Sequence, residues 1–594
     1  MQALGWDRAD VILISGDAYI DHPSFGIAVL ARLLEKMGLK VAVIPQPNWQ
    51  DDLRDFKKLG SPKLFFGVSS GSMDSMINNY TGNKRKRSDD AYSPGGRAGS
   101  RPDYATIVYT KILKNLYPET PVIIGGIEAS LRRLVHYDYW ADTIKPSILT
   151  ESQADMLVYG MGEKPLKEIT QKLQSGGTFD ELKSIPQTAY LCTSNAIPTF
   201  EGITKTIASY EDCVKQKKEF ASSFRTIEEE SNKLNSARII QLHGKIAVVV
   251  NPPYSVYSQE EIDEPYSLVY HRQPHPRYQK KDSIPAFEMI RHSVNIHRGC
   301  FGGCSFCTIS AHQGKFVLSR SENSILNEVK EIASHPDFKG HLSDLGGPSA
   351  NMYRMKGINS DLCAKCNRYS CIYPKVCKNL NTDHTPLLEL YQKVSKLSGI
   401  KKITIGSGIR YDLFLQNPYP HPSHKNYLSE VVKNHVSGRL KVAPEHTEEH
   451  ILRMMRKPSF KLFEQLKMQF DQINQKYKLN QQLIPYFISA HPASTNIDMA
   501  NLASKTRQLN FHLEQVQEFT PTPMTLSSVI YFTGIDPYTL EQVFVPYKKE
   551  DRQLQRKFFF WYKPENRQEL QSFLQKRGLN QLSASLFKSG KTSY

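Results

Sequence analysis

The feature that most restricts the fold of this chain is an alternation of short apolar runs with amphipathic stretches, which occurs twice. The first series extends from residue 10 to about residue 175, and the second starts near residue 291. Buried strands that alternate with helices are typical of an α/β fold with a parallel sheet. Because 594 residues are too many for one hydrophobic core, we predict an α/β protein of three or four folding units.

The first series predicts a doubly wound parallel sheet. Five apolar runs have the length of buried strands: 10–16, 40–44, 63–68, 121–125 and 156–159. Residues at helical spacing lie between or after them, at 25–37, 102–116 and 163–173. Such sheets bind ligands beyond the carboxyl ends of their strands. Residues 181–290 are predicted to be a connector that contains a charged helix and one apolar strand.

The second series predicts about six strand–helix units. Strand-like runs lie at 293–296, 345–346, 401–405, 439–442, 483–488 and 513–519. Helical stretches lie between them at 322–333, 386–397, 425–435, 459–476 and 495–508. In barrels built from such units, the active groups lie at the carboxyl ends of the strands.

Three cysteines lie close together at the start of the second series, in the spacing C-x3-C-x2-C: Cys300, Cys304 and Cys307. Short gaps of this kind let a tight loop place three thiolates around one iron–sulfur cube. Three ligands on a four-iron cluster leave one iron free to bind a small molecule. Close cysteines also occur in zinc sites, although those usually contain paired C-x2-C units.

A second group of four cysteines follows within fifteen residues: Cys363, Cys366, Cys371 and Cys377. This distal cysteine group has the spacing C-x2-C-x4-C-x5-C, which predicts a metal site with four protein ligands. Structural zinc and a fully ligated second iron–sulfur cluster both satisfy that ligand set. The alternative is a disulfide pair or four free thiols.

Composition and charge restrict the partners and the location of the protein. With 40% hydrophobic residues and no run of eighteen apolar residues, we expect no contact with a membrane. Seven of the nine cysteines lie in the two groups rather than in dispersed disulfide pairs, which predicts a cytoplasmic location. The net charge of +17 fits an RNA substrate and equally fits a lysine-rich background.

The segment around Cys300, Cys304 and Cys307 resembles the signature of the radical S-adenosylmethionine (SAM) enzymes. The resemblance implies that these cysteines bind a [4Fe–4S] cluster whose open iron holds the amino and carboxylate groups of SAM. One electron from the cluster then breaks a carbon–sulfur bond of SAM and releases a 5′-deoxyadenosyl radical. The implied partners are an external electron donor of the flavodoxin or ferredoxin type, and RNA or protein as candidate substrates.

The same resemblance suggests contacts to SAM at five positions. Phe306 precedes the third cysteine, where an aromatic ring can shield the cluster and flank the adenine. Gly346 and Gly347 occupy the place of a G-G-E backbone segment, although a proline replaces the acidic residue. Ser407 and Arg410 follow the next strand and are candidates for the ribose hydroxyls and the carboxylate of SAM. A glycine turn with a surface arginine is the alternative for that segment.

Three polar residues near the end of a further strand, Lys441, Glu445 and His446, are candidate groups at the mouth of the barrel. The alternative for the acidic residue is a cap for the helix that follows. No residue is assigned a catalytic role, because neither the spacing nor the resemblance identifies the substrate.

The N-terminal series resembles the cobalamin-binding-type domain that precedes many radical SAM barrels. The histidine that ligates cobalt in that domain normally lies in a D-x-H-x-x-G motif. In this chain Asp21 and His22 are adjacent. This departure from the pattern argues against cobalamin as a cofactor.

Longer strings resemble the YgiQ family of radical SAM proteins over nearly the whole chain. They are DHPSFG at 21–26, SMDSMIN at 72–78, GGIEASLRR at 125–133 and HYDYW at 136–140. The resemblance implies a three-cysteine [4Fe–4S] cluster and SAM, in a family with no established substrate.

These observations predict four regions: a cobalamin-binding-like domain (1–180), a connector (181–290), a radical SAM partial barrel (291–525) and a basic C-terminal extension (526–594). The predicted fold is α/β, with an N-terminal doubly wound parallel sheet followed by a partial (β/α)6 barrel. The predicted function is that of a radical SAM enzyme of unknown reaction. The alternative is a non-enzymatic, metal-stabilised RNA-binding protein, suggested by the net charge and the basic, aromatic C-terminal segment.

Overall fold

A nine-stranded mixed sheet forms the N-terminal half of the computed structural model, which describes residues 4–278, 280–415, 417–514 and 516–587. From one edge to the other, its strands are Val41–Pro45, Val11–Ser15, Phe65–Ser69, Val122–Gly125, Met156–Val158, Thr188–Thr193, Ile246–Val250, Arg238–His243 and Thr204–Thr206. The first five are parallel and coincide with the five strands predicted from the sequence.

The other four strands come from residues 188–250, which were predicted to be a connector. They join the sheet mainly through antiparallel pairing, so the sheet is mixed and continues past residue 180. A two-residue turn at Gly244, whose φ is +56°, links Arg238–His243 to Ile246–Val250. A glycine between two apolar runs is a sequence signal for a hairpin.

Helices cover both faces of the sheet because successive side chains of a strand point to opposite sides. On one face, Leu13 packs with the helices Gly26–Lys36 and Glu163–Gln174. On the other face, Ile12 packs with the helix Ala105–Leu116.

Six short parallel strands follow in the C-terminal half, and the second of them is interrupted at Ser343. They are Ser293–Asn295, His341–Leu342 with Asp344–Gly346, Lys402–Ile403, Arg439–Glu445, Gln482–Ser489 and Val516–Glu518. The main helices between them are Glu322–Ser334, Thr385–Ser395, Ser423–Glu430, Phe460–Tyr477 and Asn496–Gln508. The predicted strand 513–519 includes residue 515, which lies outside the described residues.

The C-terminal segment is part of the hydrophobic core rather than an appended tail. Three helices, Lys549–Phe559, Pro564–Lys576 and Asn580–Phe587, contribute buried phenylalanine and leucine side chains to the core of the second half. Residues 588–594 of the predicted extension lie outside the described ranges, as do residues 1–3 of the predicted first domain. No helix in the described residues combines the length and the apolar character needed to cross a membrane.

Candidate functional site

The segment that holds the three close cysteines, here called the cysteine loop (299–307), follows the first parallel strand of the second half. It lies between the strand Ser293–Asn295 and the short helix Ile309–Gln313. Groups from the ends of later strands surround it, as described below. The loop therefore lies where strand ends of the second half meet the sheet of the first half.

Two glycines let the cysteine loop turn tightly. Gly303 has a φ of +64°, and a Cβ atom on it would lie 2.6 Å from the carbonyl oxygen of Tyr369. The amide of Gly302 donates a hydrogen bond to Cys300 Sγ at 3.4 Å. Hydrogen bonds to sulfur tune thiolates that bind iron, so the backbone of the loop suits a cluster.

The thiols of the cysteine loop lie close enough to interact electrostatically. Burial and the neighbouring thiol of Cys304 raise the pKa of Cys300, and they raise the pKa of Cys307 to about 12. Such thiols are protonated at neutral pH and become ligands only when a metal displaces the proton. A shared positive partner would therefore stabilise this loop.

Among the residues that the structure describes, no three side chains of His, Cys, Asp or Glu converge to hold a single ion. A zinc ion with bonds of about 2.3 Å would bring its sulfurs within about 4 Å of one another. A four-iron cube is wider because each thiolate binds a different iron.

Arg410, which the sequence analysis proposed as a contact of the SAM carboxylate, lies beside the cysteine loop. Its Nη1 donates to Cys304 Sγ at 3.4 Å, and its Nε and Nη2 donate to the Asp412 carboxylate at 3.0 and 2.6 Å. Burial lowers the pKa of Arg410, but Asp412 and the thiols raise it well above its usual value. The guanidinium is thus a fixed positive charge at the loop, and its contact with the SAM carboxylate stays a prediction.

The ends of the next two strands meet at Asp344, a residue that the sequence analysis missed. Its carboxylate accepts hydrogen bonds from the Gly406 amide at 2.9 Å and from Ser407 Oγ at 2.5 Å. Burial raises the pKa of Asp344, although these hydrogen bonds lower it. A Cβ atom on Gly346 would lie 2.6 Å from Ser407 Oγ. The structure thus brings Gly346 and Ser407 together around a half-buried carboxylate.

Gly347 packs against His297, a second residue that sequence reasoning missed. A Cβ atom on Gly347 would lie 2.6 Å from the His297 ring. The ring is fully buried, and within the part of the chain that the structure describes, neither of its nitrogens has a hydrogen-bond partner of good geometry. Burial lowers the pKa of His297 to about 4. Its position just before the cysteine loop was the signal in the sequence that could have pointed to this neutral imidazole.

Of the polar residues predicted on the strand Arg439–Glu445, Glu445 lies near the cysteine loop and Lys441 does not. Glu445 is buried, its carboxylate lies 3.7 Å from Lys457 Nζ, and burial raises its pKa. It also interacts electrostatically with Cys307. Lys441 is exposed in the middle of this strand, so the prediction that it faces the site is wrong. His446 is buried at the end of the strand.

A short chain of hydrogen bonds anchors the cysteine loop to the helix Leu526–Thr533. Ser527 Oγ donates to Ser305 Oγ at 2.8 Å, and the Ser527 amide donates to the Ser305 carbonyl at 2.9 Å. His491 Nε2 lies 2.7 Å from Ser527 Oγ. The Phe306 ring meets His491 edge-on at 6.1 Å, so its predicted contact with adenine remains a prediction.

A cavity of about 360 Å³ lies between the carboxyl ends of the parallel strands and the residues that flank the cysteine loop. Ser15 and Ser69 line it from the sheet, and Thr308 and His312 line it from the segment after the cysteine loop. Ligands of parallel α/β sheets bind at this edge. The cavity is therefore the candidate site for a further ligand or a substrate.

The side chains of Asp21 and His22 are engaged within the protein. Asp21 forms an ion pair with Arg32 at 2.5 Å. The His22 nitrogens lie 3.1 Å from the Ser24 amide nitrogen and 3.0 Å from Arg272 Nη1. Neither side chain is free to extend into the cavity, and the prediction about cobalamin stays a prediction.

Two of the strings that resemble the YgiQ family, at 72–78 and 125–133, meet in buried polar contacts near the parallel sheet. Asp74 forms a buried ion pair with Arg132, and Glu128 accepts hydrogen bonds from Ser75. These strings therefore build the scaffold of the first half.

Comparison with known proteins identifies the family. A family model described as radical SAM N-terminal matches residues 1–293, and a domain of unknown function matches residues 514–585. A UPF0313 protein of Bacteroides thetaiotaomicron is 58% identical over 98% of this chain and 96% of its own length. This chain belongs to the UPF0313 family. That family includes YgiQ of Escherichia coli, which is 42% identical over 95% of this chain and 83% of its own length. The predicted family is thus confirmed.

Among solved structures, the radical S-adenosylmethionine methyltransferase TsrM from Kitasatospora setae, with cobalamin and a [4Fe–4S] cluster bound, is similar over 87% of this chain and 74% of that chain. The TM-score is 0.46 and the identity is 15%. The family match and the radical SAM model do not favour the alternative of a non-enzymatic RNA-binding protein.

Proposed function

We propose that this protein is a radical SAM enzyme, in which Cys300, Cys304 and Cys307 hold a [4Fe–4S] cluster that binds SAM. The second half would then be a partial (β/α)6 barrel, and the first half a doubly wound sheet extended by the strands of 188–250. The observation that carries the proposal is the C-x3-C-x2-C loop directly after the first parallel strand, with polar strand ends around it. When bound, the cluster would supply the electron that cleaves SAM.

The residues around the loop would bind and orient the polar part of SAM. Arg410 provides a fixed positive charge beside the thiols. Asp344 and Ser407 form a hydrogen-bonded pair at neighbouring strand ends, within reach of hydroxyl or amino groups bound there. Gly346 and Gly347 leave space because a side chain on either would collide with Ser407 or His297.

The cavity beside the cysteine loop would admit the group from which hydrogen is abstracted. RNA and protein remain the candidate substrates, and an external flavodoxin- or ferredoxin-type protein is the candidate electron donor. The cytoplasmic location stays a prediction from the cysteine pattern.

Anaerobic reconstitution of the full-length protein tests this function. With dithionite and SAM, the wild-type protein should form 5′-deoxyadenosine, and Cys304→Ala should form none. Cys213→Ala is the matched control, because Cys213 is a buried free thiol remote from the loop in sequence, and it should retain the activity. A wild-type protein that carries a complete cluster and still leaves SAM intact, even with cell extract added as a source of substrate, would overturn the proposal.

A further inference from the structure

We propose that the distal cysteine group holds a second iron–sulfur cluster, through which an acidic one-electron carrier protein reduces the cluster of the cysteine loop. One electron would leave the carrier, pass through the second cluster and reach the first, with no bond formed or broken. The second cluster stands on its own observations, whereas the relay rests on the function proposed above.

The four thiols of the distal cysteine group lie close to one another. The thiols of Cys363 and Cys371 each interact electrostatically with those of Cys366 and Cys377. The Arg368 amide donates a hydrogen bond to Cys366 Sγ at 3.4 Å. The Gly302 amide likewise donates to the sulfur of the cysteine two residues before it, Cys300. Four cysteine thiolates complete the ligand set of an iron–sulfur cluster.

A buried ammonium group next to the distal cysteine group requires a negative partner. The Lys315 side chain belongs to a residue that is only 1% exposed, and its Nζ donates to the Arg368 carbonyl at 2.6 Å. Its Nζ also lies 5.0 Å from the centre of the Phe316 ring. No carboxylate in the described part of the chain lies within ion-pair distance of it. Because an unpaired buried charge is costly, an anionic metal–thiolate centre is the partner that this lysine fits.

The distal cysteine group packs directly on the cysteine loop. The Cys371 amide donates to the Phe301 carbonyl at 3.1 Å, and Ser370 Oγ donates to the same carbonyl at 3.0 Å. Cys300, Cys371 and Cys377 also pack against one apolar cluster around Phe301. Two clusters held here would be separated by a few residues of packed protein, which suits direct electron transfer.

The outer side of the distal cysteine group has the chemistry of a docking surface for an acidic protein. Residues 354–378 contain one acidic residue, Asp361, and six basic residues: Arg354, Lys356, Lys365, Arg368, Lys375 and Lys378. Two apolar side chains, Ile358 and Leu362, are 74% and 58% exposed among them. Complementary charge raises the rate at which such partners meet, and the exposed apolar groups would be buried in the complex.

Metal analysis of the reconstituted full-length protein tests the second cluster. Wild type should contain about eight iron and eight sulfide per chain, and the variant with alanine at Cys300, Cys304 and Cys307 about four of each. A Cys366→Ser, Cys371→Ser variant should also keep about four. Zinc in place of iron in the triple variant would overturn the proposal. The proposal would also be overturned if the wild-type protein contained only four irons and the Cys366→Ser, Cys371→Ser variant kept all of them. Either result would leave the function of the cysteine loop intact.

Comparing two reductants tests the relay. Changing Lys356, Lys365 and Lys378 to Glu should slow SAM cleavage driven by reduced flavodoxin by about ten-fold at low salt, and cleavage driven by dithionite much less. The control variant carries Glu at the exposed Lys86, Lys218 and Lys549 and should behave as wild type with both reductants. An equal loss in both variants would overturn the docking surface. If the wild-type protein does not cleave SAM with dithionite, the result counts against the proposed function instead. The iron content would still show whether the second cluster is present.

Discussion

At the scale of single residues, the site depends on positions where no side chain fits. A Cβ atom on Gly302 would lie 2.7 Å from Arg410 Nη1 and 3.3 Å from Cys300 Sγ. Arg410 cannot move aside cheaply because Asp412 holds its guanidinium through two hydrogen bonds. The sequence pointed to Gly302 as part of a tight loop, but it could not show which partner fills the space beside it.

We therefore expect Gly302→Ala to lose most of the iron of the cysteine loop, because the new methyl group displaces either the thiol or the guanidinium. Gly408→Ala is the matched control, since a Cβ atom there would meet nothing within 4 Å. Iron and sulfide analysis after reconstitution measures the effect. Equal iron in the two variants would show that the space beside Gly302 is not required.

Buried histidines predict a dependence of stability on pH. Burial lowers the pKa of His136 and of His384 to about 3, whereas an unfolded histidine has a pKa of about 6.5. Between these values the unfolded chain binds more protons than the folded protein. The free energy of unfolding therefore falls as the pH is lowered, by about 1.4 kcal/mol per pH unit for each histidine.

Replacing one of these histidines should remove its share of the slope. The free energy of unfolding of His384→Gln, measured by urea titration from pH 6 to pH 4.5, should fall less steeply with decreasing pH than that of wild type. His271→Gln, at an exposed position, should keep the wild-type slope. An unchanged slope in His384→Gln would contradict the account of this buried imidazole.

At the scale of elements, the periodicity of apolar residues predicted the positions of strands and helices better than it predicted which strands pair in the sheet. The five parallel strands and the helices Phe460–Tyr477 and Asn496–Gln508 occur close to their expected positions, because long apolar periods identify such elements. The four strands of 188–250 were not assigned to the sheet, since their partners lie far away in sequence. Nor could a local pattern reveal that Ser527 holds Ser305, 222 residues earlier.

The anchor between these two elements has a direct test. Ser527→Ala removes the side-chain hydrogen bonds to Ser305 and His491, and we expect a loss of about 1 kcal/mol in the free energy of unfolding and faster loss of the cluster in air. Ser528→Ala is the control, because Ser528 is equally buried on the same helix but bonds to Thr522 and Thr525. Equal rates of cluster loss would contradict an anchoring role.

At the scale of the whole molecule, a buried charge network joins the two halves. Glu328, on the helix Glu322–Ser334, accepts hydrogen bonds from Arg272 and Arg320, and Arg272 also contacts His22. His22 and Arg272 are 250 residues apart in sequence. The motif that contains His22 was visible in the sequence. Its contact with Arg272 could not be predicted, because the contact forms only when both halves have folded.

Removing the central carboxylate should therefore destabilise the whole molecule. We expect Glu328→Gln to lower the free energy of unfolding by about 3–5 kcal/mol, because two buried guanidinium groups lose their partner. Glu331→Gln lies on the same helix at an exposed position and should have little effect. Denaturant titration of both variants decides whether the network carries this energy.

The most direct test of the central claim, that three cysteines hold a cluster with one iron open to SAM, is the electron paramagnetic resonance spectrum of the dithionite-reduced protein. Recording it in the Cys366→Ser, Cys371→Ser variant isolates the cluster of the cysteine loop. We expect the signal of a reduced [4Fe–4S] cluster whose shape changes when SAM is added, and no such signal after Cys304→Ala. A reduced cluster whose spectrum is the same with and without SAM would contradict it.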